Sequence, residues 1–127
     1  MRFTVVLFAF SLLAACATPA PTTPVAENPP ASPSPSRAAQ LLAAAGRADA
    51  PRLAEIERTL GAADITRREG AGTALTYRLE SCALLLLFAA DAHNEMRLAE
   101  AHASARRAGD TAPRLEQCAA EIDARRS

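Results

Sequence analysis

An α+β fold is the class this sequence predicts, on three observations. Beyond residue 36, apolar residues recur at helical spacing near both ends, alternate with small and polar residues in the middle, and are punctuated by glycine and proline between. The expected form is a small antiparallel β-sheet of three to four strands packed with two or three short helices, in one domain at residues 37–127. Its 91 residues suffice for one modest core and not two.

Ser36 is placed to cap a first helix running to about Ala45, with Leu41 and Leu42 as apolar anchors and Gly46 as its end. Pro51 then stands where a first helical residue tolerates proline. Leu53, Ile56 and Leu60 follow at i, i+3 and i+7, and Gly61 closes this second, amphipathic helix. A strand is expected from about Asp64 to Glu69, with Gly70-Ala71-Gly72 as its hairpin turn. Thr73 to Leu79 alternates: Leu75, Tyr77 and Leu79 share one face while Ala74, Thr76 and Arg78 share the other, as in a half-buried strand.

Cys82 to Ala89 is apolar throughout, which suits a central strand covered on both faces. A turn at Asp91 to Asn94 would lead into a last strand from about Glu95 to Ala103. Helix propensity reads the same stretch differently, because Cys82 to Arg107 is rich in Leu, Ala, Glu, Met and Arg and could form one or two helices. A run that is apolar on every side leaves both readings open. Finally, Pro113 starts a helix that brings Leu115, Cys118, Ala119 and Ile122 onto one face.

The first 36 residues are of another kind. Met1 and Arg2 precede an apolar run from Phe3 to Ala15, thirteen residues against the roughly twenty a bilayer-crossing helix needs, and this is the order of a secretory signal peptide. Leu13-Ala14-Ala15-Cys16 resembles the lipobox of bacterial lipoproteins. That resemblance implies a lipoprotein signal peptide at residues 1–15, an acylated Cys16 at the start of the mature chain, and a membrane partner reached through its lipid. Two or three acyl chains would hold the chain durably, where one binds only reversibly. Ala17 stands where an aspartate would favour inner-membrane retention, so by the same resemblance the expected location is the periplasmic side of the outer membrane of a Gram-negative cell.

Residues 16–36 read as a disordered, Pro-rich linker. Ala17 to Ser36 holds seven of the nine prolines, Val25 as its one larger aliphatic, and no aromatic, too little apolar surface to offset the entropy of ordering. Such a tether could extend on the order of 60 Å. The PxxP spacing of Pro30-Ala31-Ser32-Pro33 has no flanking arginine or aromatic to mark it as a recognition ligand.

Charge and cysteine content narrow the function. With Arg2 and Glu27 outside it, the 37–127 domain holds thirteen arginines and thirteen acidic residues, and this balance speaks against nucleic acid as a partner. Once Cys16 is assigned to lipid, Cys82 and Cys118 remain as an even pair in an oxidising compartment, where a disulfide is expected. It would close a loop of about 37 residues, worth roughly 4 kcal/mol in the chain-entropy model. No CxxC or HxxxH spacing supports the rival metal site of these thiols with His93 or His102, so no metal and no cofactor is expected. Nor is catalysis: His93 and His102 with Ser81 or Asp91 could be imagined as a dyad, but no nucleophile elbow, HExxH or phosphate loop is present. Gly70-Ala71-Gly72 lacks the third glycine and the following helix of a dinucleotide site. Arg67 and Arg68 must face opposite sides of a strand, one solvated and the other free to pair with Glu69, Glu80 or a partner's carboxylate.

The stretch LGAADITRREGAGTALTYRLESCALLLLF, Leu60 to Phe88, resembles the BamE-like (SmpA/OmlA) family of small envelope lipoproteins. Leu60, Gly61, Asp64, Arg67, Arg68, Glu69, Gly70, Tyr77, Arg78, Cys82 and Leu84 match that pattern, while Ala63 replaces its usual proline and Leu75 its tryptophan, as in a divergent member. The resemblance implies strands rather than helices after Cys82, and a role as a non-catalytic protein-binding module in outer-membrane assembly or envelope integrity, through an envelope protein partner that the residues do not name. The competing expectation is an inhibitor-like module of the same fold that blocks a periplasmic enzyme.

Overall fold

The computed structural model describes residues 33–127, and Pro33–Ser127 forms one compact unit. The signal-peptide segment 1–15, the lipid-bearing Cys16 and all but the last four residues of the 16–36 linker lie outside the described residues. Three helices and four strands follow in the order α1 (Arg37–Ala43), α2 (Leu53–Leu60), β1 (Ile65–Glu69), β2 (Gly72–Arg78), β3 (Cys82–Ala90), β4 (Met96–Ala105) and α3 (Leu115–Arg126). The strands form an antiparallel meander, β1-β2-β3-β4, with the helices on one of its faces, so the fold is α+β.

Ser36 caps α1, its hydroxyl accepting the Ala39 N–H at 3.2 Å. The helix stops two residues short of the expected Ala45, because the chain must turn toward the sheet. Gly46, at φ +74°, donates its N–H to the Leu98 carbonyl at 2.9 Å, and a Cβ there would lie 3.1 Å from the Ala99 carbonyl oxygen.

The two helix-starting prolines stand earlier than expected. Pro51 is not the first residue of α2: its carbonyl accepts the Leu98 N–H at 3.0 Å, which ties residue 51 to β4 and leaves extended Arg52 as the N-cap. Likewise Arg114, not Pro113, borders α3, and its N–H donates to Gln117 Oε1 at 2.8 Å.

Gly70 takes φ +55° between the paired residues Glu69 and Gly72, the pattern of a two-residue hairpin with positive φ at its first central position. Residues 82–105 are strand, against their helix propensity. β3 pairs along its length with β2 on one side and β4 on the other, with one register shift at Leu87/Phe88. Its alternate residues Cys82, Leu84, Leu86 and Phe88 all enter the core, so period-two burial on two ladders outweighs a propensity of tenths of a kcal/mol per residue. β4 starts one residue later than expected and continues to Ala105.

The core lies between the sheet and the helix layer. Leu75, Tyr77, Leu84, Leu86 and Leu98 meet Leu42, Ile56, Cys118 and Ile122, all buried. Cys82 and Cys118 lie at disulfide-bonding distance, with Cα atoms 5.9 Å apart and 36 residues between them in sequence, joining the start of β3 to the first turn of α3. The Tyr77 hydroxyl donates to the Gly61 carbonyl at 2.9 Å, which holds the α2 exit against β2. Burial, with the Glu57 and Asp64 carboxylates nearby, pushes this phenol up to about 12.

Candidate protein-docking face

The expectation that β3 is covered on both faces is incorrect. Ala83, Leu85, Leu87 and Ala89 point away from the helices, and Leu85 is 37 % exposed, the most exposed large apolar side chain among the described residues. Three short helices reach only one side of a four-stranded sheet, so continuous hydrophobicity here means one face packed and one face bare.

The pairing register lays out this bare face row by row. Arg67 of β1, Ala74 of β2, Leu87 of β3 and Glu100 of β4 form one row; Ile65, Thr76, Leu85 and His102 form the next. In the first, a small and apolar centre lies between charged flanks; in the second, Ile65 carries the apolar strip to the β1 edge and His102 borders it on β4. On the β1 side, Arg67 and Glu69 pair at 3.7 Å, each more than 70 % exposed. On the β4 side, His102 Nε2 and Glu100 Oε2 lie 2.7 Å apart, both more than half exposed. Such exposed pairs add little to stability, which leaves their charges available to a partner. Between the flanks lies a shallow depression of about 460 Å³, lined by Arg67, Glu69, Ala74, Thr76, Leu85 and Leu87. An apolar strip with a charged border is the anatomy of a protein-docking surface.

The residues considered for catalysis are dispersed. Ser81 lies in the β2–β3 turn, where its N–H donates to Glu121 Oε2 at 3.2 Å and its hydroxyl meets the other oxygen of that carboxylate. His93 lies beyond the opposite end of β3, roughly 30 Å away along a nine-residue strand. It touches Asp91 through its backbone N–H, at 2.8 Å. His102 lies between them on β4, bonded to Glu100. Among the described residues no group of three His, Cys, Asp or Glu side chains is placed to hold a metal ion. Arg67 and Arg68 do face opposite sides of β1, with Arg67 on the bare face.

Two ionic clusters brace the ends of the sheet. Asp64 accepts the Arg78 N–H at 2.6 Å and pairs with Arg125 of α3 at 3.3 Å; these bonds, Arg125 foremost, hold its carboxyl below the usual value. At the β3–β4 turn, Asp91 accepts N–H bonds from Glu95 and His93 and a 2.8 Å bond from Arg97 Nε. Together, the Glu95 N–H first, they hold its carboxyl down at about 2. Glu95 Oε2, enclosed beside this turn, meets Arg52 Nε at 2.6 Å and so ties the hairpin to the start of α2.

Sequence reasoning missed the bare face although its signal was present. Ala74, Thr76 and Arg78 were assigned to the outward face of β2, and the outward residues of its neighbour β3 must share that side. In comparisons with protein-family models, curated proteins and solved structures, nothing matches the chain.

Proposed function

We propose that this protein is a non-catalytic binding module, lipid-anchored through Cys16 to the outer membrane, facing the periplasm, and docking onto envelope protein through the bare face of its sheet. The observation that carries this reading is the exposure of Leu85 and the apolar strip around it, bordered on both sides by charge. The lipobox-like Leu13-Ala14-Ala15-Cys16 and the Pro-rich segment behind it support the anchor and a tether long enough to present that face away from a membrane.

Two measurements test it in intact cells. Intact-mass analysis of the mature native protein should show a chain beginning at Cys16 with acyl mass added, and a chain starting elsewhere without that mass removes the anchor. A photo-crosslinking amino acid at Leu85 should yield protein adducts that the same group at exposed Glu116 on α3 does not. Equal labelling, or none at either position, removes the docking face.

A further inference from the structure

We infer that the occupant of the bare sheet face is a second copy of this chain, stacked sheet on sheet about a two-fold axis that runs along the strands. The inference rests on the docking-face reading and names its partner. Its basis is that the face is complementary to itself under that rotation. A two-fold parallel to the strands keeps each row at its own height and reverses its direction, laying β1 of one copy over β4 of the other. The row Arg67–Ala74–Leu87–Glu100 then meets its own reverse. Arg67 faces the partner's Glu100, Ala74 faces the partner's Leu87, and each contact occurs twice. The next row, Ile65–Thr76–Leu85–His102, sets Leu85 against the partner's Thr76.

Two independent matches come from this one operation: opposite charges meet at both borders, and the large residues of β3 fall on the small residues of β2. A two-fold across the strands lays β1 on β1 and sets Arg67 against the partner's Glu69 instead, an arrangement in which Glu100→Arg does not restore Arg67→Glu. Aligned packing of twisted sheets about 10 Å apart is an ordinary arrangement, and an arginine and a glutamate together span such a gap. The face measures roughly 20 Å by 17 Å in plan, from four strand spacings and about five residues per strand. With side-chain relief, two copies bury on the order of 1,000 Å², the lower limit for a specific interface. Association is therefore modest in solution, and a shared membrane surface raises it by effective concentration.

The test uses the full chain extracted from membranes in detergent. Facing Cα atoms on sheets about 10 Å apart lie too far apart for a disulfide but within reach of a short bis-maleimide. Chains carrying Arg67→Cys mixed with chains carrying Glu100→Cys should therefore be joined into a dimer by a bis-maleimide that bridges about 10 Å, while either variant alone should not. By sedimentation, Arg67→Glu should weaken dimerisation at least about tenfold, since symmetry counts the repulsion twice, and so should Glu100→Arg; the double variant Arg67→Glu/Glu100→Arg should restore it.

A monomer at all concentrations with no mixed crosslink overturns the inference, as does a dimer indifferent to both reversals. The photo-crosslinker at Leu85 separates the two readings. An adduct of two copies of this chain supports self-association. An adduct with a different protein overturns the second copy and leaves the docking face standing, and no adduct overturns both.

Discussion

The two faces of β3 are built from nearly the same residues and live in different surroundings. Cys82, Leu84, Leu86 and Phe88 are buried under the helices, whereas Ala83, Leu85, Leu87 and Ala89 are open or half-open. Leucines occur on both sides, so hydrophobicity does not decide which side becomes the core. The layer that arrives decides: α2 and α3 carry one apolar stripe each, and α1 packs against α3, which fills one face and leaves nothing for the other. An apolar face without a cover is the kind of surface that proteins use for contact.

The contrast is most exposed to failure at adjacent leucines. Leu86→Asp places a carboxylate without partners in the core and should cost several kcal/mol, enough to unfold a domain whose total is about 5–15 kcal/mol. Leu85→Asp, one residue away, should change stability by no more than about 0.5–1 kcal/mol. Thermal melts of the two variants read this directly, and similar losses would mean that the faces are not distinct.

The next largest effect lies in the bond that holds the covering layer on. Cys82→Ser, Cys118→Ser and the double change should each cost about 2–5 kcal/mol and lower the melting temperature alike, since each removes the same link between β3 and α3. Two reactive thiols, beyond any at Cys16, in unfolded, unreduced protein taken from its native compartment would show that no such bond forms there.

Tyr77 sharpens the comparison from the buried side. Tyr77→Phe strands the Gly61 carbonyl and should cost about 1–3 kcal/mol. Because this is the chain's one tyrosine, its ultraviolet titration reads a single group, expected near 12 in the folded protein against about 10 when unfolded. The raised value stabilises the fold fully below about pH 10, and that contribution is lost as pH rises through about 12. Titration near 10 in the native state would contradict the burial.

The smallest effect belongs to Asp91, at the exposed turn shared by both faces. Its carboxyl is held down at about 2, so its contribution is complete above about pH 4, the unfolded value, and is lost as pH falls toward 2. Asp91→Asn should flatten the fall in melting temperature over that window. An unchanged slope would place the acid sensitivity elsewhere, with Asp64, also held low, as the next group to replace.

How much of this could be read from residues alone follows the same division. The alternation of Leu75, Tyr77 and Leu79, the spacing of Leu53, Ile56 and Leu60, and the glycines at 46, 61 and 70 carry local information, and the elements formed close to where those residues put them. The positions of Pro51 and Pro113 misled by two residues, because a hydrogen bond from the distant Leu98 and a cap at Arg114 set the helix starts. β3 was ambiguous for a deeper reason. Its pairing and its cover are both supplied by other segments, so no window of sequence around it contains the answer. The bare face lies in that blind region, built from odd-numbered residues of β3 whose meaning depends on what is absent above them.

The simple strand order has a kinetic side. In a meander each strand pairs with the next along the chain, so the four-stranded sheet can assemble by short-range hairpin closures, which are the fast ones. The contact between α1 and α3 joins the beginning and end of the described chain and closes its longest loop. On loop-closure grounds the helix layer is expected to complete last. Until it does, both sides of β3 are equally bare, and the newly formed sheet has two sticky surfaces where the finished molecule has one. Variants that slow the docking of α3 without altering its final stability should thus show themselves first as aggregation during folding, not as a lower melting temperature.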